Sequence, residues 1–188
     1  FSTDELEALA DSFSGMLVVD EAYADFSAKG SLLGVLHRHP NLIVLQTRSK
    51  AWGMAGLRPG LAFASTEVAE VLARVKYPYN VNAPTQQEVM RRLLQEPHHE
   101  HVAEIISERE RLAALLPSLP CVLHVYPSDA NFFLVKVTDA DRVYDYLVQH
   151  GIIVRNRNRV LQCEGCLRLT IGTPAENDRL LHTLASCQ

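Results

Sequence analysis

The sequence lacks any long uninterrupted apolar run, and its apolar stretches are far shorter than the roughly 20 residues that cross a membrane. It also lacks a strong charge of either sign, since 18 Lys and Arg against 22 Asp and Glu leave a formal net charge of −4. No basic stripe with interleaved aromatic residues occurs, and no signal-peptide pattern opens the chain. We therefore expect neither membrane insertion nor nucleic-acid binding.

Cysteine is scarce for a chain of 188 residues, which argues against a disulfide scaffold. The four cysteines are Cys121, Cys163, Cys166 and Cys187. Cys163 and Cys166 have CxxC spacing, but no second pair exists to complete a zinc site. The histidines at 98, 99 and 101 do not share one helical face, as metal ligands would. We interpret the cysteines as reduced thiols, expect no metal site, and infer a cytoplasmic location.

The pattern of the first part of the chain is typical of an α/β domain. Short apolar stretches at 16–19, 42–45 and 61–64 predict buried strands, and helical spacing appears at 31–38 and 65–76. Strands that alternate with helices indicate a largely parallel sheet. In such sheets, ligands bind at the carboxyl ends of the strands.

The rest of the chain changes in character. A long charged helical pattern covers 85–116, with a break expected at Pro97. An α+β order follows, with strands predicted at 121–126, 132–137, 152–154 and 167–171 and helices predicted at 139–150 and 174–186. We place the domain boundary near 78–85, with a partial large domain in 1–80 and a connecting helix and small domain in 81–188.

Polar residues with chemical potential follow the first two strands. An acid such as Asp20 after a strand is most often a turn or cap residue, although it could pair with a cationic group of a ligand. Lys50 lies among small and apolar neighbours from Trp52 to Leu57. Such surroundings predict partial desolvation, which favours the neutral amine needed for Schiff-base chemistry.

Two arginines are candidates for anion binding. Arg58 lies between two glycines and, with the hydroxyls of Thr47 and Ser49, makes a plausible phosphate clamp. It could equally pair with a nearby acid. Arg168 occurs in the apolar stretch 167–171, where a buried guanidinium needs a partner. That partner could be a substrate anion or a structural acid.

Three segments in this order resemble the fold type I aminotransferases that depend on pyridoxal 5'-phosphate (PLP). They are DEAY at 20–23, SKAWGMAGLRPG at 49–60 and LRLTIGT at 167–173. Within that family the chain resembles the histidinol-phosphate aminotransferase branch, through YPYN at 77–80, SDANF at 128–132 and GIIVR at 151–155. The resemblance implies a C-terminal part of the large PLP-binding domain, with a mostly parallel sheet, followed by a small α+β domain.

The resemblance also implies a role for each cofactor residue. Lys50 would hold PLP covalently and then move a proton during the reaction. Asp20 would pair with the pyridinium nitrogen, and Tyr23 would hydrogen-bond the phenolic oxygen of the cofactor. The cofactor phosphate would be held by Thr47, Ser49 and Arg58.

For the substrate, the resemblance implies that Arg155 and Arg168 bind anionic groups and that Asn131 lines the site. The reaction would be transamination between L-histidinol phosphate and glutamate or 2-oxoglutarate, in histidine biosynthesis, by a homodimer. Family members are about twice this long, so we expect a C-terminal fragment that self-associates and is inactive alone. Alternatives are a threonine-phosphate decarboxylase, an aminotransferase of the aromatic or aspartate type, and a non-catalytic α/β module that works by association.

Overall fold

The computed structural model describes residues 1–95 and 99–187. The chain divides into two compact units, Phe1–His99 and Glu100–Gln188. The domain boundary expected near 78–85 stays a prediction. The break expected at Pro97 and the first histidine of the 98–101 cluster lie outside the described residues. Within the ranges that are described, no helix is long and apolar enough to cross a membrane.

The first unit contains a three-stranded sheet in the order β1-β2-β3. Its elements are α1 (Thr3–Ser12), β1 (Leu17–Asp20), β2 (Leu42–Thr47), β3 (Gly60–Phe63), α2 (Thr66–Val75) and α3 (Ala83–Gln95). β1 and β2 are parallel, as expected, whereas β2 and β3 are antiparallel. The expectation of a mostly parallel sheet was therefore wrong for the second pair. The 48–59 connection lacks the crossover helix that a parallel return requires, so the chain folds back as a hairpin.

The core of the first unit forms around β2. Leu42 and Val44 are buried there and pack with Leu32. The helix predicted over 31–38 is instead two 3₁₀ turns, Leu32–Gly34 and Leu36–Arg38. Gly34 ends the first of them, and a glycine in a helix interior costs about 1 kcal/mol. The first turn is held by a side chain, because Leu32 N donates to the Glu21 carboxylate at 2.7 Å.

The second unit is an antiparallel sheet in the order β4-β5-β7-β6. Its elements are α4 (His99–Leu115), β4 (Val122–Val125), β5 (Phe132–Val137), α5 (Ala140–Gln149), β6 (Arg155–Asn156), β7 (Cys166–Thr170) and α6 (Pro174–Ala185). Alternate residues of β5 and β7 pack with the three helices into one core, whose strand members are Phe133, Val135, Val137, Leu167 and Leu169. Because successive strand residues face opposite ways, Arg168 lies on the other face of the sheet.

Local signals set the helix ends in this unit. The Asp139 side chain accepts a hydrogen bond from Arg142 N and caps α5. Thr173 and Glu176 form a capping box at the start of α6, where Pro174 takes the first helical position. The strand predicted at 152–154 was misplaced, because Ile152 N closes the end of α5 by donating to Leu147 O at 2.8 Å. The extended residues that join the sheet come later, at β6.

The cysteines are free thiols. Cys163 and Cys166 flank the turn that leads into β7, in which Cys166 N donates to Cys163 O at 3.0 Å. Gly165 in this turn has a φ of +76°, which glycine adopts without strain. Burial, and after it the nearby Cys187, raises the pKa of the Cys121 thiol to about 11. These thiols are therefore explained as turn and core residues.

Candidate active site

The parallel pairing of β1 and β2 brings Asp20 to the edge of the sheet where β2 also ends. Asp20 pairs in register with Leu45, and Glu21 N extends the ladder by donating to Leu45 O at 2.8 Å. Asp20 Oδ1 accepts from Ala22 N at 2.9 Å, as in a turn. The other oxygen of this exposed carboxylate has no partner among the described residues and can accept a further bond.

Lys50 lies close to Tyr23, which belongs to the segment that follows β1. The Lys50 ammonium is 5.5 Å from the centre of the Tyr23 ring, within the range of a cation–π contact. The partial desolvation predicted for Lys50 was wrong, because this residue is exposed. Its neighbours Ala51 and Met54 are buried instead, so the apolar side chains of the loop turn inward and leave the amine at the surface.

The loop that carries Lys50 is closed at its base by hydrogen bonds. The Thr47 hydroxyl donates to Pro59 O at 2.9 Å and accepts from Ser49 N at 3.0 Å. Arg48 N also donates to Pro59 O, at 3.3 Å. The Thr47 hydroxyl is thus already engaged in holding the loop, whereas the Ser49 hydroxyl has no hydrogen bond within the described residues.

Arg58 lies at the far end of this loop in a left-handed backbone conformation, with a φ of 58°. This conformation is unusual for a residue with a side chain. Arg58 is exposed, and its Nη1 donates to Ala55 O at 3.1 Å. No carboxylate forms an ion pair with it among the described residues, which removes the structural acid considered as its partner. The remaining guanidinium nitrogens can bind an anion.

The structure adds Arg48 to this group, a residue that the sequence analysis did not single out. Its guanidinium lies 5.0 Å from the centre of the Trp52 ring. Its Nε atom is buried and has no hydrogen-bond partner among the residues that the structure describes. A buried donor without a partner is rare in proteins and needs an explanation, of which a bound ligand or ion is one. The signal available in the sequence was a second cation two residues before Lys50.

Glu21 was also missed, although its role is structural. Its carboxylate accepts from the Ser31 hydroxyl at 2.6 Å, from Leu32 N at 2.7 Å and from Gln46 Nε2 at 3.0 Å. These bonds join the end of β1 to β2 and to the turn between them. Glu21 therefore fixes the backbone on which Asp20 and Tyr23 lie.

In the second unit, Arg155 and Arg168 face each other across neighbouring strands. They are Cα partners in the β6–β7 register. Like charges directly opposite in a sheet are destabilising, so this pairing favours an anion between them. Within the described residues no acid forms an ion pair with either arginine. Arg168 Nε is buried with no hydrogen-bond partner in the described ranges, and the guanidinium lies 4.8 Å from the centre of the Phe132 ring.

Asn131 lies at the start of β5, next to these strands. Its carbonyl accepts from Ile171 N at 2.9 Å, which ties it to the end of β7. The preceding loop is held by Ser128, whose hydroxyl donates to Phe132 O at 2.6 Å, and by Arg109, which donates to Ala130 O at 3.2 Å. Asn131 therefore accompanies Arg155 and Arg168 in the second unit, while the other six predicted site residues lie in the first.

Comparison with known proteins identifies the family. The family described as "Aminotransferase class I and II" matches residues 1–184. The chain belongs to this aminotransferase family. It is 55% identical over 174 residues to a histidinol-phosphate aminotransferase of Parabacteroides distasonis, a match covering 92% of this chain and 50% of that protein. This class I and II aminotransferase chain thus spans about half the length of the curated relatives it matches.

Two solved structures confirm the fold. The histidinol-phosphate aminotransferase from Sinorhizobium meliloti, solved in complex with pyridoxal-5'-phosphate, superposes with a TM-score of 0.85 at 24% identity, over 100% of this chain and 53% of that one. A decarboxylase from Sulfurospirillum multivorans superposes with a TM-score of 0.86 at 27% identity, over 99% and 57%. The expected fold class, a partial large domain followed by a small α+β domain, is confirmed.

Proposed function

We propose that the protein containing this aminotransferase sequence catalyses PLP-dependent transamination between L-histidinol phosphate and 2-oxoglutarate, as a step of histidine biosynthesis. The observation that carries the proposal is the arrangement at the carboxyl edge of the first sheet, with the Lys50 amine over Tyr23 and Asp20 at the end of β1. The 55% identity to a histidinol-phosphate aminotransferase supports the choice of reaction.

The residues present fit the cofactor. PLP supplies, when bound, an electron sink for charge that develops on the substrate carbon beside its amine. The exposed Lys50 amine would hold the cofactor and later carry a proton to and from that carbon. The unpaired oxygen of Asp20 would accept a hydrogen bond from the ring nitrogen and keep it protonated. Tyr23 would donate to the phenolic oxygen.

The cofactor phosphate would be held at the other end of the loop. The Ser49 hydroxyl, which has no hydrogen bond to any described residue, and the nitrogens of Arg58 are donors that suit a phosphate. Thr47 would contribute mainly by holding the loop, because its hydroxyl already donates to Pro59 O. The buried Nε of Arg48 is a further donor on the same segment.

Arg168 and Arg155 would bind the anionic groups of the two substrates, with Asn131 beside them. Both partners in the reaction carry an anion: the phosphate of histidinol phosphate and the carboxylates of glutamate. One pair of guanidinium groups can bind either anion, because the forked N–H donors of arginine suit both phosphate and carboxylate oxygens. The paired positions on β6 and β7 support this role.

We further propose that the whole protein is a cytoplasmic homodimer, and that the 188-residue chain alone is inactive. The second proposal follows from the length covered, since the chain spans only about half of its curated relatives. A purified chain that converts histidinol phosphate would contradict it.

The test of the cofactor assignment is titration of the chain with PLP, followed by borohydride reduction and peptide mapping. Label confined to Lys50 is the expected result. Lys29, Lys76 and Lys136 are internal controls, and K50R, which keeps the charge, should lose the label. Equal labelling of all four lysines would overturn the assignment of Lys50.

Decarboxylation of a phosphorylated amino acid is the second candidate. A decarboxylase from Sulfurospirillum multivorans and an L-threonine-O-3-phosphate decarboxylase from Porphyromonas gingivalis share the fold, with TM-scores of 0.86 and 0.80. Assay of the full-length enzyme separates the two reactions, because a decarboxylase releases CO2, whereas the proposed transamination releases none and converts 2-oxoglutarate to glutamate.

A further inference from the structure

The second unit contains a polar cluster inside its apolar core. Glu108 on α4 is only 8% exposed, and Asn177 on α6 is 1% exposed. Each takes a core-facing position of its helix: Leu112 follows Glu108 one turn later, and Leu180 follows Asn177. Burying a carboxylate and an amide costs free energy unless both are well bonded, so this cluster calls for a reason beyond packing.

Asn177 uses both ends of its amide on one residue of the main chain. Its Oδ1 accepts from Gly172 N at 2.9 Å, and its Nδ2 donates to Gly172 O at 2.9 Å. The same nitrogen donates to Glu108 Oε2 at 2.7 Å. The amide therefore pairs with both the N–H and the C=O of Gly172, as a residue of a neighbouring strand would. The bond to Glu108 fixes the orientation of the amide.

Glu108 is itself held in place by Arg111. Arg111 donates to the two carboxylate oxygens, from Nε at 2.9 Å and from Nη2 at 2.7 Å, and its Nη1 reaches Asp178 at 2.7 Å. These bonds lower the pKa of the Glu108 carboxyl, with Arg111 the larger cause and Asn177 the next. Glu108 is therefore a charged acceptor, which holds a donor more strongly than a neutral one does.

Gly172 is the point at which β7 turns into α6. A Cβ here would lie 2.7 Å from Glu176 Oε2, so a side chain at this position would force the Glu176 side chain to move. Arg168 lies on the same strand, and Ile171 N, directly before the glycine, donates to Asn131 O. The two bonds from Asn177 to Gly172 thus fix the end of the strand that carries Arg168. They also fix Ile171, whose N–H bonds to Asn131 O.

We propose that Glu108 and Asn177 are positioning residues for the anion site of Arg168 and Arg155, acting through the backbone of Gly172. The inference deepens the proposed function and rests on its assignment of the substrate anions to these arginines. Neither residue reaches the outer face of the sheet. Their effect is to fix the position of β7 along the strand direction. That position determines where the Arg168 guanidinium lies over the Phe132 ring.

The test measures two quantities in the same samples of the 188-residue chain: the position of the Arg168 side chain and the affinity for an anion. The side-chain Nε–Hε signal of Arg168 reports its position, because a guanidinium stacked over the Phe132 ring gives a ring-shifted NMR resonance. Titration with inorganic phosphate reports the affinity. The variant R168A identifies the signal and defines the loss of the site.

N177L removes both bonds to Gly172 and the bond to Glu108. It should displace the Arg168 signal and, by moving the guanidinium, weaken phosphate binding about tenfold. N177D alone should weaken phosphate binding more than N177L does, since it places a second carboxylate against that of Glu108. The double variant E108Q/N177D restores a donor and an acceptor across the pair, and should recover part of the signal and of the affinity. T183V is the matched control, because Thr183 is a buried, hydrogen-bonded residue of α6 that donates to Arg179 O instead.

The possible outcomes separate the inference from the proposed function. If wild type binds phosphate, R168A does not, and N177L is unchanged in both readouts, the anion site stands and the positioning role is overturned. Equal effects of N177L and T183V also overturn it, since they would indicate a general loss of stability. A wild-type chain without phosphate binding overturns the anion site and the inference together.

Discussion

Arg168 and Arg48 each hold a buried Nε atom that has no hydrogen-bond partner in the described part of the chain, and each guanidinium lies over an aromatic ring. In both cases the ring supplies a favourable contact for the cation but cannot satisfy the N–H donors. These N–H donors remain available, which is what the proposed binding of a ligand anion requires. At the scale of single residues, the proposed anion binding therefore depends on N–H donors that the described part of the fold does not satisfy.

Replacement of Arg168 tests this view. In a full-length enzyme that carries this sequence, R168A should lower kcat/KM by about a hundredfold, because a bidentate, charged contact to the substrate is lost. R168K keeps the charge but not the fork, so its activity should be intermediate. Steady-state kinetics with both amino donors measures the effect. An R168A enzyme with wild-type kcat/KM would contradict the role.

At the scale of elements, caps and turns determine where the helices lie. α5 begins where the Asp139 side chain accepts from Arg142 N at 3.1 Å. D139A removes this cap and should lower the free energy of unfolding by about 1 kcal/mol, whereas D139N should retain most of it. Chemical denaturation measures both variants. Equal losses in D139A and D139N would indicate that charge near the helix start matters rather than the capping bond.

The link between α4 and α6 should make stability depend on pH. The pKa of the Glu108 carboxyl is lowered in the folded state, first by Arg111 and then by Asn177. A carboxyl with a lowered folded pKa contributes stability above its unfolded pKa of about 4.3, and this contribution is lost as the pH falls through the folded value.

The wild-type chain should therefore lose more stability on acidification below about pH 4.3 than E108Q does. Urea denaturation at a series of pH values measures the difference. E104Q changes an exposed carboxyl of the same helix and is the control. Parallel pH profiles for wild type and E108Q would contradict the prediction.

At the scale of the whole molecule, the first unit leaves large apolar side chains in contact with solvent. Val18 on β1 is 53% exposed, Leu61 on β3 is 39% exposed and Val75 on α2 is 75% exposed. β1 is also an edge strand of its sheet, and exposed apolar edge strands pair with other chains. We therefore expect the purified chain to self-associate.

Size-exclusion chromatography with light scattering measures this association. V18K adds a charge to the edge strand and should shift the chain towards monomer. L161K changes an apolar side chain that is 83% exposed in the second unit, and should leave the mass unchanged. A wild-type chain that elutes as a monomer at all concentrations would contradict the expectation.

The extent to which sequence predicted this molecule depended on how local each signal is. β5 was predicted at Phe132–Val137, where alternation between the core and the outer face is regular. The grouping of Asp20 with Lys50 in one site rests on motif order and stays a prediction. The hairpin return of β3 was not predictable from apolar patterning, which carries no strand direction. The Glu108–Asn177 hydrogen bond was not predicted, because the two residues lie on different helices and their pairing depends on how those helices pack.

The hydrogen bonds at the base of the Lys50 loop also have a consequence for the order of folding. Thr47 and Pro59 are near in sequence, so the β2–β3 hairpin can close early with little loss of chain entropy. Asp20 joins it only through the more distant pairing of β1 with β2. When the whole chain refolds, the loop that carries Lys50 is therefore expected to reach its conformation before β1 brings Asp20 to the same edge of the sheet.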